Sequence, residues 1–123
     1  MLRKNLPLNL MITIYHNPRC RKSREALAYI MDHGWTHKIV AYLSHPLRIE
    51  EIVYLTELLD LKAIDLVRTQ EALWRDHYKN ESLTEDQIIE LLSAHPKLLQ
   101  RPIVVIGKRA VIARPAELIE SIR

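Results

Sequence analysis

Two short apolar runs rich in β-branched residues set the frame of this chain, MITIY at Met11–Tyr15 and PIVVI at Pro102–Ile106. Each is too short for a helix and too apolar for an exposed strand, so each is expected in the interior of a sheet. After the first, HNPRC reads as a loop, because Pro18 restrains Asn17 to an extended shape. A helix is expected to begin near Cys20 or Arg21, with Leu27, Ile30 and Met31 on one face and Gly34 just past its end. A second strand falls within Trp35–Leu43, strongest at KIVAYL. Short connections in a strand–helix–strand order favour a parallel pair with a right-handed crossover.

Pro46 is expected to open the next helix, with Ile49, Ile52, Val53, Leu55, Leu58 and Leu59 as its apolar stripe. Shorter helices follow at Ala63–Val67, Glu71–Tyr78 and Glu85–Ala94, the last introduced by the capping box Thr84-Glu85-Asp86-Gln87 and ended by Pro96. PIVVI, Gly107-Lys108 and AVIA then read as a β-hairpin, and Pro115 with Leu118, Ile119 and Ile122 as a final helix. The order βαβ, helical insertion, ββα is an α/β arrangement, the skeleton of a thioredoxin-like fold. The insertion covers about residues 47–99 and has no Gly/Ser-rich linker at either end. One domain over residues 11–123, preceded by a flexible tail at 1–10, is the expected organisation.

Composition narrows the function. With 123 residues, 48% hydrophobic and 27% charged, the chain can bury a core without disulfides or metal. The net charge of +3 is short of a dedicated nucleic-acid binder, and no apolar run approaches the ~20 residues of a membrane helix. Arg3, Lys4, Pro7 and the absence of a small-residue cleavage site argue against a signal peptide; Met11 is an alternative start. A single Cys permits no internal disulfide, which points to the reducing cytoplasm.

That Cys is the most informative residue. Cys20 lies between the first strand and the first helix, where free backbone N–H groups and the positive end of the helix dipole favour a thiolate and also attract oxyanions. Arg19, Arg21, Lys22 and Arg24 surround it in sequence. A tyrosine-phosphatase loop needs Cys-x5-Arg, but Ala26 stands at the arginine position; a dithiol motif needs Cys-x-x-Cys, but Ser23 stands at the second cysteine. Without a second thiol, any covalent adduct on Cys20 must be resolved by an external thiol. Such a resolver is glutathione with a glutaredoxin, or another protein.

His16, four residues before Cys20, is placed to favour the thiolate as imidazolium or by hydrogen bonding, or else merely packs in the loop. The remaining histidines show no ligand pattern; His33 and His37 are separated by the helix-breaking Gly34, and no metal is expected. Arg101-Pro102 precedes the PIVVI strand, where a proline beside the Cys20 helix is compatible with a cis bond. Arg114 precedes Pro115, and Arg68 ends a short helix of the insertion. Spacing alone leaves each arginine either a surface cation or an oxyanion ligand.

The segments ITIYHNPRCRKSRE, LVRTQE and HPKLLQRPIVVIGKRAVIARPAE together resemble the glutaredoxin-linked arsenate reductase family, over about residues 12–122. The resemblance implies a thioredoxin-like fold with a helical insertion, Cys20 as nucleophile and His16 beside it. It implies Arg68, Arg101 and Arg114 as oxyanion-binding residues, with Asn17, Arg19, Ser23, Arg24 and Pro102 in support. Where family members usually carry small residues after the Cys, this chain has Arg21-Lys22.

The implied function is glutathione- and glutaredoxin-dependent reduction of arsenate to arsenite through a thiolate–arsenic adduct, an arsenic detoxification reaction. Glutathione is then a co-substrate, no cofactor is bound, and neither nucleic acid nor membrane is a partner. One alternative is a monothiol oxidoreductase of the same fold acting on another substrate. The other is a redox regulator binding RNA polymerase, against which Ser23 in place of a second cysteine and the three arginines argue.

Overall fold

The computed structural model describes residues 11–123, so the expected N-terminal tail lies outside the described residues. These residues divide into two compact units, one ending at Ala41 and resuming as Arg101–Arg123, the other Tyr42–Gln100.

The first unit holds a four-stranded sheet in the order β2-β1-β3-β4. Its strands are β1 (Ile12–Tyr15), β2 (His37–Val40), β3 (Ile103–Ile106) and β4 (Arg109–Ile112). β1 runs parallel to β2 and antiparallel to β3, and β3 and β4 form the expected hairpin. Gly107 takes φ 62° in its turn, a conformation that favours glycine. All four β3 residues are buried, the pattern of a central strand covered on both faces. Ile12 and Ile14 pack with Val104 and Ile106 of the neighbouring strand, Ala26 and Ile30 of α1 (Arg21–Asp32), and Ile119 and Ile122 of the C-terminal segment. One hydrophobic layer thereby joins sheet, helix and chain end.

The boundaries of this unit depart from expectation in two places. β2 ends at Val40 instead of running through KIVAYL, because its partner β1 stops at Tyr15 and the His16 N–H takes the Val40 carbonyl at 3.0 Å. The C-terminal segment, Ala116–Ile122, is a 3-10 helix, and Pro115 stands before its first turn as the N-cap.

The second unit is helical: α2 (Ile49–Leu59), a 3-10 turn (Ala63–Leu66), α3 (Ala72–His77), α4 (Glu85–Ala94) and a 3-10 turn (Pro96–Leu98). Ile52 and Leu55 of α2, Leu66, Ile89 and Leu92 of α4, and Leu98 are buried. Pro46 does not open α2. Arg48 is its N-cap, and the Glu51 carboxylate accepts the Arg48 N–H at 2.9 Å, so the helix starts at Ile49. An antiparallel bridge between Val67 and Leu99 ties the residue after the Ala63–Leu66 turn to the end of the unit. Among the described residues no helix is long and apolar enough to cross a membrane.

The capping box of α4 is formed as expected: the Thr84 hydroxyl accepts the Gln87 N–H at 3.1 Å, and the Gln87 carbonyl oxygen accepts the Thr84 N–H at 2.8 Å. Thr84→Ala should therefore lower stability by about 1 kcal/mol, read as a shift of the urea midpoint with an unchanged slope. A shift near zero would mean that tertiary packing alone fixes the start of α4.

Candidate active site

Cys20 is the N-cap of α1, with an extended backbone, φ −95° and ψ 123°. The loop before it is self-braced: the Asn17 carbonyl accepts the Cys20 N–H at 3.0 Å, and the Asn17 side-chain oxygen accepts the Arg19 N–H at 2.9 Å. No acidic residue occupies the first turn of α1, so the positive end of the helix faces the thiol uncompensated. The thiol itself is largely enclosed, Cys20 being 8% exposed.

Burial pushes the Cys20 thiol up, but four other influences outweigh it. They are the Ser23 backbone N–H, the Arg101 charge, the Lys22 backbone N–H and a side-chain hydrogen bond from Arg101, and the thiol lies below its ordinary value. The source of the charge corrects one sequence-based expectation. Three of the four cations adjacent in sequence are directed elsewhere: Arg21 and Lys22 both reach Glu25, at 3.1 and 3.6 Å, and Arg24 donates to the Pro18 carbonyl at 3.0 Å, while Arg19 is exposed. The cation acting on the sulfur is Arg101, from the opposite end of the chain.

The sheet explains how Arg101 gets there. β3 lies antiparallel to β1 with Ile103 opposite Tyr15, so Arg101 and Pro102 continue alongside the loop that leaves β1. Pro102 is fully buried, and the Arg101–Pro102 peptide is cis, as is Arg114–Pro115. The Arg101 Nε is buried and has no hydrogen-bond partner among the described residues. A guanidinium N–H in that state is a donor set for an anion. Arg114 donates to the Arg101 carbonyl at 3.4 Å, which brings the two arginines together at this edge of the unit.

His16 and Ser23 form the base of the site. Ser23 is fully buried, lies 2.7 Å from His16 Nδ1, and accepts the Asn17 N–H at 2.9 Å. Burial first, and then the Arg24 charge, hold the His16 imidazole below its ordinary value. His16 is therefore neutral near pH 7, and of the two routes open from sequence the imidazolium one is not favoured.

Cys20, His16, Asn17, Ser23, Arg24, Arg101, Pro102 and Arg114 thus belong to one unit, with Arg19 exposed at its rim. Arg68 belongs to the other unit and follows its 3-10 turn instead of ending it. There its guanidinium bonds Glu71 at 3.0 Å and the Lys97 carbonyl at 3.3 Å. Reading for cations alone overlooks two carboxylates, Glu25 and Glu71. The i,i+4 spacing of Arg21 and Glu25 and the i,i+3 spacing of Arg68 and Glu71 were the available signals.

The ArsC family model matches residues 15–122. The chain is 37% identical over 113 residues to the uncharacterized protein YfgD of Escherichia coli (strain K12), covering 90% of this chain and 95% of that one. It is 35% identical over 113 residues to a protein named arsenate reductase from Neisseria meningitidis serogroup B, covering 90% and 97%. A solved structure, the arsenate reductase from Vibrio cholerae, superposes with a TM-score of 0.88 at 34% identity, covering 93% of this chain and 98% of that one. The thioredoxin-like α/β frame, the sequence match along almost its whole length and the likeness to that solved structure agree, and the chain belongs to the ArsC family.

Proposed function

We propose that this protein is an arsenate reductase that uses glutathione and glutaredoxin as its reducing system. The observation that carries the proposal is the pairing of a depressed thiol with Arg101, whose buried Nε is left to bond an anion. A nucleophile and an oxyanion cradle coincide at one helix N-terminus. Relatives named arsenate reductase, at 35% identity over 90% of the chain, support the choice of oxyanion.

In this reading arsenate docks at the start of α1, held by Arg101 and Arg114; Arg68, the third cation of the family resemblance, lies in the other unit. The Cys20 thiolate attacks the arsenic of monoanionic arsenate, an As–O bond breaks, and the departing hydroxyl leaves as water with the second proton of the arsenate. Neutral His16, braced by Ser23, relays that proton. The product is a Cys20–S–arsenate adduct.

A glutathione thiol then attacks the Cys20 sulfur. The S–As bond breaks with its electron pair going to arsenic, so arsenite departs in the trivalent state and a Cys20–glutathione disulfide remains. The two electrons come from the two sulfurs. Glutaredoxin removes the glutathione, since no second cysteine exists to do so within the chain. No bound cofactor is required, and the reducing cytoplasm supplies the thiol.

Arsenate-dependent NADPH consumption in the presence of glutathione reductase, glutathione and glutaredoxin tests the whole cycle. Phosphate, alike in charge and shape, should compete. Replacing the glutathione system with thioredoxin and thioredoxin reductase should leave little activity, because a single thiol cannot present an intramolecular disulfide. Equal rates with the two systems would refute the glutathione assignment while leaving arsenate as the substrate.

A further inference from the structure

The charge of this protein is concentrated beside its nucleophile. Between residues 19 and 25 stand Arg19, Arg21, Lys22 and Arg24 against the single carboxylate of Glu25, and Arg101 and Arg114 are two of the cations elsewhere in the same unit. These seven side chains carry five net positive charges on a chain whose total is +3, so the rest of the chain is net negative. Arg24 is tied to the Pro18 carbonyl and Arg101 faces the sulfur. The Arg21 and Lys22 side chains share Glu25 and remain 81% and 46% exposed, so two cations answer to one carboxylate. The Arg19 side chain makes no hydrogen bond or ion pair with the described residues.

We propose that Arg19, Arg21 and Lys22 form a selectivity rim that favours a small external thiol carrying two carboxylates over neutral or cationic thiols. This rests on the reading above that Cys20 is a nucleophile completed by an outside thiol. Cys20 is 8% exposed, so its sulfur is reached by a slender thiol more readily than by a broad surface. Separate, exposed cations on long stems can each meet one carboxylate of such a molecule. A cluster of like charge also raises the local concentration of anions, an effect that salt abolishes.

Thiol–disulfide exchange isolates this selectivity. The Cys20 thiolate attacks a symmetric disulfide, forms a mixed disulfide and releases one thiolate, so atoms and electrons balance without another reagent. Oxidised glutathione, bis(2-hydroxyethyl) disulfide and cystamine serve as anionic, neutral and cationic probes. Their rates are followed by mass spectrometry and normalised to the same disulfides reacting with free cysteine. At low salt the wild-type protein should prefer the anionic probe over the neutral one by about tenfold, and about 0.5 M salt should collapse that preference.

The double variant Arg21→Gln/Lys22→Gln should lower the preference about fivefold while the neutral rate changes less than twofold. Arg19→Gln should act in the same direction. Arg109→Gln, at the opposite end of the β3–β4 hairpin, should do nothing. A preference that survives in the double variant, or a parallel fall with all three probes, overturns the proposal. So does a wild-type protein with no anionic preference, which would turn attention to an acidic protein partner instead. Arsenate takes no part in the experiment, so a failure to reduce arsenate and a failure of the rim are separately visible.

Discussion

Replacing Cys20 by serine should abolish arsenate-dependent turnover, by at least about a thousandfold, and leave the fold as stable as before. The expected retention of stability follows from where the residue sits. Cys20 is the N-cap of α1 and makes no side-chain cap hydrogen bond, whereas serine is among the preferred N-cap residues. The variant therefore separates chemistry from structure. Iodoacetamide labelling against pH gives the second readout on the native protein: the labelling midpoint should lie below that of an ordinary thiol. Arg101→Gln should move the midpoint upward, because Arg101 supplies both a charge and a hydrogen bond to the sulfur. Arg21→Gln should move it little, because that guanidinium is engaged with Glu25. A normal midpoint in the wild type, or equal shifts from Arg101 and Arg21, would remove the activated thiolate from the mechanism.

The contrast between Arg101 and Arg21 also marks where sequence reasoning stops. Sequence neighbours are visible in a linear reading, so the basic run around Cys20 draws attention first. Side chains on a helix, however, meet partners three and four residues away, and Glu25 stands at that distance from both Lys22 and Arg21. The effective cation arrives through strand pairing instead, from a residue 81 positions further on, and only the β1–β3 register reveals it. Ser23 shows the same limit from another side. In sequence it is noticed as the missing second cysteine; in the fold its hydroxyl joins His16 and the Asn17 backbone.

The elements themselves were more legible than their ends. β1, β3 and β4 are short β-branched runs bounded by turn residues, and the capping box fixed the start of α4 at Glu85. The ends of β2 and α2 were misplaced because each depends on a partner that periodicity does not encode. β2 stops where β1 stops, and α2 begins where Glu51 takes the Arg48 N–H. The spacing of Leu118, Ile119 and Ile122 likewise predicts an ordinary helix, whereas Ile119 and Ile122 reach the core in a 3-10 winding.

Arg101→Lys and Arg114→Lys should each reduce arsenate-dependent activity about tenfold or more, which corresponds to losing one charged hydrogen bond of about 1.5–3 kcal/mol. A tetrahedral oxyanion beside a thiolate is repelled unless fixed cations hold both, and a guanidinium fork can do so in a way an ammonium cannot. Arg101 carries the strongest case. Its charge and hydrogen-bonding capacity help hold the thiol below its ordinary value, and its Nε is buried without a partner among the described residues. Lysine keeps the charge but offers no Nε donor at that depth, so its loss should appear in activity more than in thiol reactivity. Arg114 donates to the Arg101 carbonyl, so Arg114→Lys removes both a cation and a brace on its neighbour. Arg68→Lys should have a smaller effect, because the Arg68 charge is already answered by Glu71 at 3.0 Å. Arg75→Lys and Arg109→Lys are the controls and should be nearly silent. The measurement is the coupled NADPH assay across arsenate concentrations, with phosphate inhibition followed in parallel. Loss of phosphate inhibition in Arg101→Lys, alongside loss of arsenate turnover, would place the defect in oxyanion binding. If all five variants behave alike, or the wild type neither binds nor reduces arsenate, the oxyanion assignment fails, and Cys20 is then better read as a thiol acting on other thiols.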